Sequence, residues 1–94
     1  MPGNSVFTSN EEFVVSPNPA SYTAELIFYV DQDQRIELTL YDLNGRQVLN
    51  IFDGKLHEDE YIKTINISGL ENGMYVAVLK MGKIVLLREI VVLK

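Results

Sequence analysis

Residues 35–41 read Arg-Ile-Glu-Leu-Thr-Leu-Tyr, with Ile36, Leu38 and Leu40 at every second position and Glu37 and Thr39 between them. Successive side chains of a strand point to opposite faces, so this spacing predicts a half-buried β-strand with the three aliphatic residues turned inward. The pattern recurs along the chain. Phe13-Val-Val15 reads as a short first strand, and Thr23–Val30 carries Leu26, Phe28 and Val30 on one face. Further strands are expected over 48–52, 61–67, 74–81 and 84–93, the sixth apolar enough to be buried on both faces. Turn chemistry separates them: Pro17-Asn-Pro19, the polar 31–34, Asn44-Gly45, the break Asp53-Gly54 with a polar loop over 55–60, the turn-rich 68–73, and Gly82-Lys83. A leading glycine suits Gly82-Lys83 to a type II′ turn. No window of useful length has a 3.6-residue period with caps. Seven short strands at this spacing predict an all-β chain of antiparallel sheets folded as a sandwich, with a closed barrel as the alternative.

At 94 residues the chain is expected to form one domain, burying roughly 60–65% of its unfolded surface. An apolar fraction of 47% and a charged fraction of 22% place it among globular chains. The net charge of −5 argues against phosphate backbones and anionic lipid as partners. With no cysteine there is no disulfide framework, which leaves an extracellular site open. No apolar run approaches the ~20 residues of a membrane helix. Residues 1–12 are polar and lack both the charged and the apolar regions of a secretory leader. They are expected to be a mobile linker, or an added start, ahead of a domain spanning 13–94. Lys94 reads as a true terminus.

The stretch Tyr41-Asp-Leu-Asn-Gly-Arg46 lies between two apolar runs. Asp42-Leu-Asn-Gly45 suits a type I turn closed by a glycine bulge, which sets Asp42 opposite Arg46 and Leu40 opposite Val48. A two-residue type I′ turn at Asn44-Gly45 is the rival, and the first is preferred because it pairs opposite charges. Leu43 would then cap one end of the sandwich.

Catalytic chemistry is not expected. The one histidine, His57, sits in a polar loop among acids, without the base and orienting group that nucleophilic catalysis needs. Asp31-Gln-Asp33 has the first spacing of a calcium loop, but position six is Ile36 rather than glycine, so no metal or cofactor is expected. Asn66-Ile-Ser68 matches a glycan acceptor triplet, a common chance occurrence. The eight Lys and Arg are scattered, against nucleic acid.

Four further pieces stand in order: Pro17-Asn-Pro-Ala20, Leu40-Tyr-Asp-Leu-Asn-Gly-Arg46, Ser68-Gly-Leu-Glu-Asn-Gly-Met-Tyr75, and Leu79-Lys-Met-Gly-Lys83 running into a strand that finishes Val91-Val-Leu-Lys94. Together, over about 13–94, they resemble the C-terminal sorting domain of the type IX (Por) secretion system. The resemblance implies an immunoglobulin-like sandwich, itself not an enzyme, at the extreme C-terminus of a larger cargo protein in a Gram-negative bacterium. Cargo of such proteins enters the periplasm by an N-terminal signal, and the domain directs it through an outer-membrane translocon. A sortase-like protease then commonly removes the domain at the surface and anchors the cargo. The family often has Lys where this chain has Arg88, and a small residue where it has Lys83.

The resemblance makes Pro17, Asn18, Pro19, Asp42, Gly45, Arg46, Gly73, Tyr75, Gly82, Arg88 and Lys94 the candidate recognition residues. It places cleavage between about Ser5 and Glu12. For Gly73 and Tyr75 a structural role is the stronger expectation, Tyr75 as a core residue with its hydroxyl at the rim. The final hairpin, 74–94, is expected to carry the export signal, with backbone groups of its last strand open to strand addition. The alternatives are an immunoglobulin-like adhesion or spacer module, and a carbohydrate-binding module presenting Tyr22, Tyr29 and Tyr61.

Overall fold

The computed structural model describes residues 13–94. The expected mobility and cleavage within 1–12 lie outside the described residues. Seven strands follow one another: β1 Phe13–Ser16, β2 Thr23–Val30, β3 Gln34–Asp42, β4 Gln47–Leu56, β5 Asp59–Asn66, β6 Gly73–Met81 and β7 Ile84–Val92. They form two sheets, ordered β1-β2-β5 and β4-β3-β6-β7, with every named pairing antiparallel. The architecture is the expected all-β, immunoglobulin-like sandwich.

Alternation builds the core as the sequence reading expects. Leu26, Phe28 and Val30 of β2 face Ile36, Leu38 and Leu40 of β3, all buried, with Ala77 and Leu79 of β6 and Ile90 of β7 beside them. Burying each such aliphatic or aromatic side chain contributes ~1.5–3 kcal/mol. Phe13 meets Phe28 edge-on at 6.5 Å between ring centres, which ties the four-residue β1 to the core. β6 buries Tyr75, Ala77, Leu79 and Met81, while Val76 and Val78 on its other face are only half-buried, so burial on both faces is partial.

The fourth strand departs from expectation. Rather than breaking at Asp53-Gly54, β4 runs on to Leu56, so most of the expected 55–60 loop is strand and only His57-Glu58 turns. The cause is β3: its first half needs partners, and it finds them as Ile36↔Gly54, Arg35↔Lys55 and Gln34↔Leu56. Gly54 suits this place because the Phe52 ring crosses it, 3.3 Å from where a Cβ would stand. The expected Leu40–Val48 pairing is also corrected. Leu40 lies opposite Leu49, and register shifts leave Val48 and Ile51 as the extra residues of two bulges, which bend and twist an edge strand.

Candidate functional site

The Asp42 turn takes the preferred form. Gly45 N–H donates to Asp42 C=O at 3.1 Å, and Asp42 N–H donates to Arg46 C=O at 2.9 Å, which is a type I turn closed by a glycine bulge. Gly45 has φ +84°, where a side chain is strained. The Asp42 carboxylate accepts the N–H groups of Asn44 and Arg46, each at 2.9 Å, and Arg46 Nε at 3.2 Å. The Arg46 N–H above all, then the Asn44 N–H and the Arg46 side chain, hold its pKa below the ordinary carboxylate value. The turn therefore consumes Asp42, and Arg46, with 77% of its side chain exposed, faces solvent. Leu43 is 67% exposed and caps nothing, because the turn projects beyond the sheets.

Pro17, Asn18 and Pro19 lie along the outer edge of β7. Both X-Pro bonds, Ser16-Pro17 and Asn18-Pro19, are cis. Proline offers no N–H, so Asn18 pairs through its side chain: Nδ2 donates to Glu89 C=O and Oδ1 accepts from Val91 N–H, each at 2.9 Å. Backbone pairing then takes over, with Ala20 N–H donating to Val91 C=O at 2.8 Å and Leu93 N–H to Ala20 C=O at 2.9 Å. Ser21 Oγ adds a bond to Leu93 C=O at 3.0 Å. The strand edge expected to be open is thus closed over its second half.

Tyr75 is buried and its hydroxyl donates to Glu71 C=O at 2.7 Å, at the rim as expected. Gly73 opens β6 opposite Val92, with φ +151°. Lys94 bridges to the preceding loop: its N–H donates to Asn72 Oδ1 at 3.0 Å, and its Nζ to Ser68 C=O at 2.6 Å and to Leu70 C=O. Sequence reasoning missed Asn72, Ser68 and Leu70 as the seat of Lys94, because a turn residue carries no sign of what docks on it. Arg88 reaches from β7 to β1, its Nε donating to Phe13 C=O at 2.7 Å with the guanidinium 5.8 Å from the centre of the Phe13 ring. Gly82 takes φ +59° and Lys83 does not, which fits the type II′ turn.

Register gathers most of these residues. Asp42 pairs with Tyr75, Tyr75 with Ile90, and Gly73 with Val92, while Ala20 bridges Val92. The Asp42 turn, the 68–73 loop, the Pro17–Pro19 step and Lys94 therefore share one end of the four-stranded sheet. Gly82 lies at the opposite end and Arg88 between.

Elsewhere, His57 Nδ1 lies 3.1 Å from Asp33 Oδ2, and Glu58 N–H donates to Asp33 Oδ1 at 3.1 Å. The His57 contact and then the Glu58 amide lower the Asp33 pKa. These bonds fasten one sheet-crossing corner, and with a 90% exposed His57 side chain they form no enclosed site. Among the described residues no cluster of three or more His, Cys, Asp and Glu is placed to hold a metal ion. Tyr22 and Tyr29 are exposed, but Tyr61 is half-buried, stacked on Phe28 at 5.8 Å and bonded to His57 C=O, so the three make no common platform.

The search of curated proteins found no match. A family model described as secretion system C-terminal sorting domain matches residues 14–93, which takes in every strand but the first residue of β1. With that match on a seven-strand sandwich, the chain belongs to the type IX secretion C-terminal sorting domain family.

Proposed function

We propose that this domain is a non-catalytic export signal that carries a larger upstream cargo protein through the periplasm and across the outer membrane. At the cell surface a sortase-like protease removes it. The observation that carries the reading is the family match over 14–93, and the match to a sorting signal also favours it over an adhesion or spacer role. The proposed contact surface for the translocon is the shared end of the four-stranded sheet. There Arg46 and Asn18 are exposed, whereas Asp42, Gly45, Gly73 and Tyr75 hold the turns that present them. Pro17 and Pro19 shape the step that carries Asn18, and Lys94 holds the adjoining loop. Gly82 and Arg88 serve the final hairpin, at its turn and at its tie to β1.

A fluorescent protein fused ahead of residue 1 tests this in a type IX-competent host. Export with the intact domain is expected, together with periplasmic retention when Arg46 and Lys94 are both replaced by Glu in a domain that still folds. Normal export of that variant, with loss of export in a core variant such as Leu38→Ala, would leave foldedness as the signal and remove this surface from the reading. Cargo exported equally well without the domain would end it.

A further inference from the structure

The three-stranded sheet carries an apolar row on its solvent face. Register sets Val14 opposite Ile27 and Ile27 opposite Ile62, so one residue from each strand stands in line. Their neighbours Phe13, Leu26, Phe28 and Tyr61 point the other way, into the core. Val14 is 39% exposed and Ile62 57%, with Ile27 half-buried between them. One exposed apolar side chain is ordinary, but three in line across every strand of a sheet form a patch.

Carboxylates frame this row. One step along the face stand Ser16, Glu25 and Thr64. One step the other way stand Tyr29 and Glu60, and the Tyr29 hydroxyl donates to Glu58 at 2.8 Å. The one cation of these three strands, Lys63, turns away from the face, its Nζ 4.6 Å from the centre of the Phe52 ring. Every other Lys and Arg of the chain lies in the strands and turns of the four-stranded sheet or directly after them. The face is therefore apolar along its middle and negative at its rims.

That charge selects the occupant. A second copy laid face to face would set Glu25 and Glu60 against the same carboxylates, and residues 1–12 hold Glu11 and Glu12 with no Lys or Arg. Neither complements the face. We propose that it docks a basic amphipathic helix of another protein, one with three apolar residues in a stripe between flanking Lys or Arg. The dimensions agree. Neighbouring strands stand about 4.8 Å apart, so the row spans roughly 10 Å, and helix positions i, i+4 and i+7 also span about 10 Å. Glu25 and Glu60 lie two residues from the row on opposite sides, about 7 Å away, where lysines flanking the stripe reach them. The inference rests on the three-stranded sheet and does not depend on the domain's role in export.

The probe is an acetylated peptide, Lys-Leu-Lys-Ala-Lys-Leu-Ala-Ala-Leu-Lys-Ala-Lys-Ala, stapled between its seventh and eleventh residues to hold the helix, with a control in which Glu replaces each Lys. Titrated into the isotope-labelled chain, the basic peptide is expected to shift the methyl resonances of Ile27 and Ile62 and to leave Val78 on the four-stranded sheet unchanged. The Glu peptide is expected to bind at least about tenfold more weakly. Ile62→Ser, at an exposed position, is expected to weaken binding about tenfold while the Leu38 resonances stay in place. The double variant Glu25→Lys, Glu60→Lys keeps the apolar row and is expected to reverse the preference between the peptides. Any of four results overturns the proposal: no shift at Ile27 and Ile62 at about millimolar basic peptide, equal binding of both peptides, Overhauser contacts joining Ile62 to residues 1–12 in the free chain, or sedimentation of the free chain as a dimer that Ile62→Ser dissolves.

Discussion

Asn18 and Val91 are joined as neighbouring strands are joined, although Asn18 belongs to no strand. Its side-chain amide accepts the Val91 N–H and donates to the Glu89 carbonyl, both at 2.9 Å, standing in for one peptide group between two prolines. Asn18→Ala is expected to cost ~1–2 kcal/mol, the sum of two modest hydrogen bonds. Hydrogen exchange at Val91 should rise more than at Leu38 in the core. Equal protection in both proteins would show that Ala20 alone secures the edge.

Gly45→Val should destabilise the domain by ~1–3 kcal/mol in urea unfolding, because a β-branched residue is forced to positive φ. Gly45→Asn should lose less, since Asn tolerates that conformation. Nothing lies within 4 Å of a Cβ at Gly45, so a clash would not account for the loss.

The Asp42 pKa is lowered in the folded chain, chiefly by the Arg46 N–H. A carboxylate held below its unfolded value stabilises the fold above the unfolded pKa, and that stability is lost as pH falls through the folded one. The same sign holds for Asp33. Stability should thus decline on acidification below the ordinary carboxylate range, about pH 4. Asp42→Asn combined with Asp33→Asn should flatten that decline. An acid transition of unchanged steepness in the double variant would exclude these two groups as its source.

Tyr75→Phe removes the bond to the Glu71 carbonyl while leaving the ring in place, and should cost ~1 kcal/mol. Thermal unfolding measures it.

Lys94→Met keeps the aliphatic stem and removes the Nζ contacts to the Ser68 and Leu70 carbonyls. The expected outcome is local: altered chemical shifts over 68–72 with a core unchanged at Leu38 and Leu79. Lys94→Arg should restore them in part. Shifts spread across both sheets would make Lys94 a support of the whole fold.

What the sequence determined by itself is short in range. Alternation at Ile36, Leu38 and Leu40 fixes which face of β3 is buried, because the side-chain period of a strand is a local property. The Asp42 turn was legible for the same reason, since its Asp, its Gly and the amides they serve lie within five residues. The family motifs were legible as ordered short words, and the tyrosine hydroxyl at the rim was legible because Tyr75 follows a turn and opens a buried strand. Tertiary structure alone decided the rest. β4 passes through Asp53-Gly54 because β3 lies beside it and needs partners, and the bulges at Val48 and Ile51 appear only in that pairing. Asn18 meets β7 across 73 positions, and Lys94 meets Ser68 across 26. A backbone group pairs with whichever group the fold brings within reach, so local propensity at either end carries no record of the other.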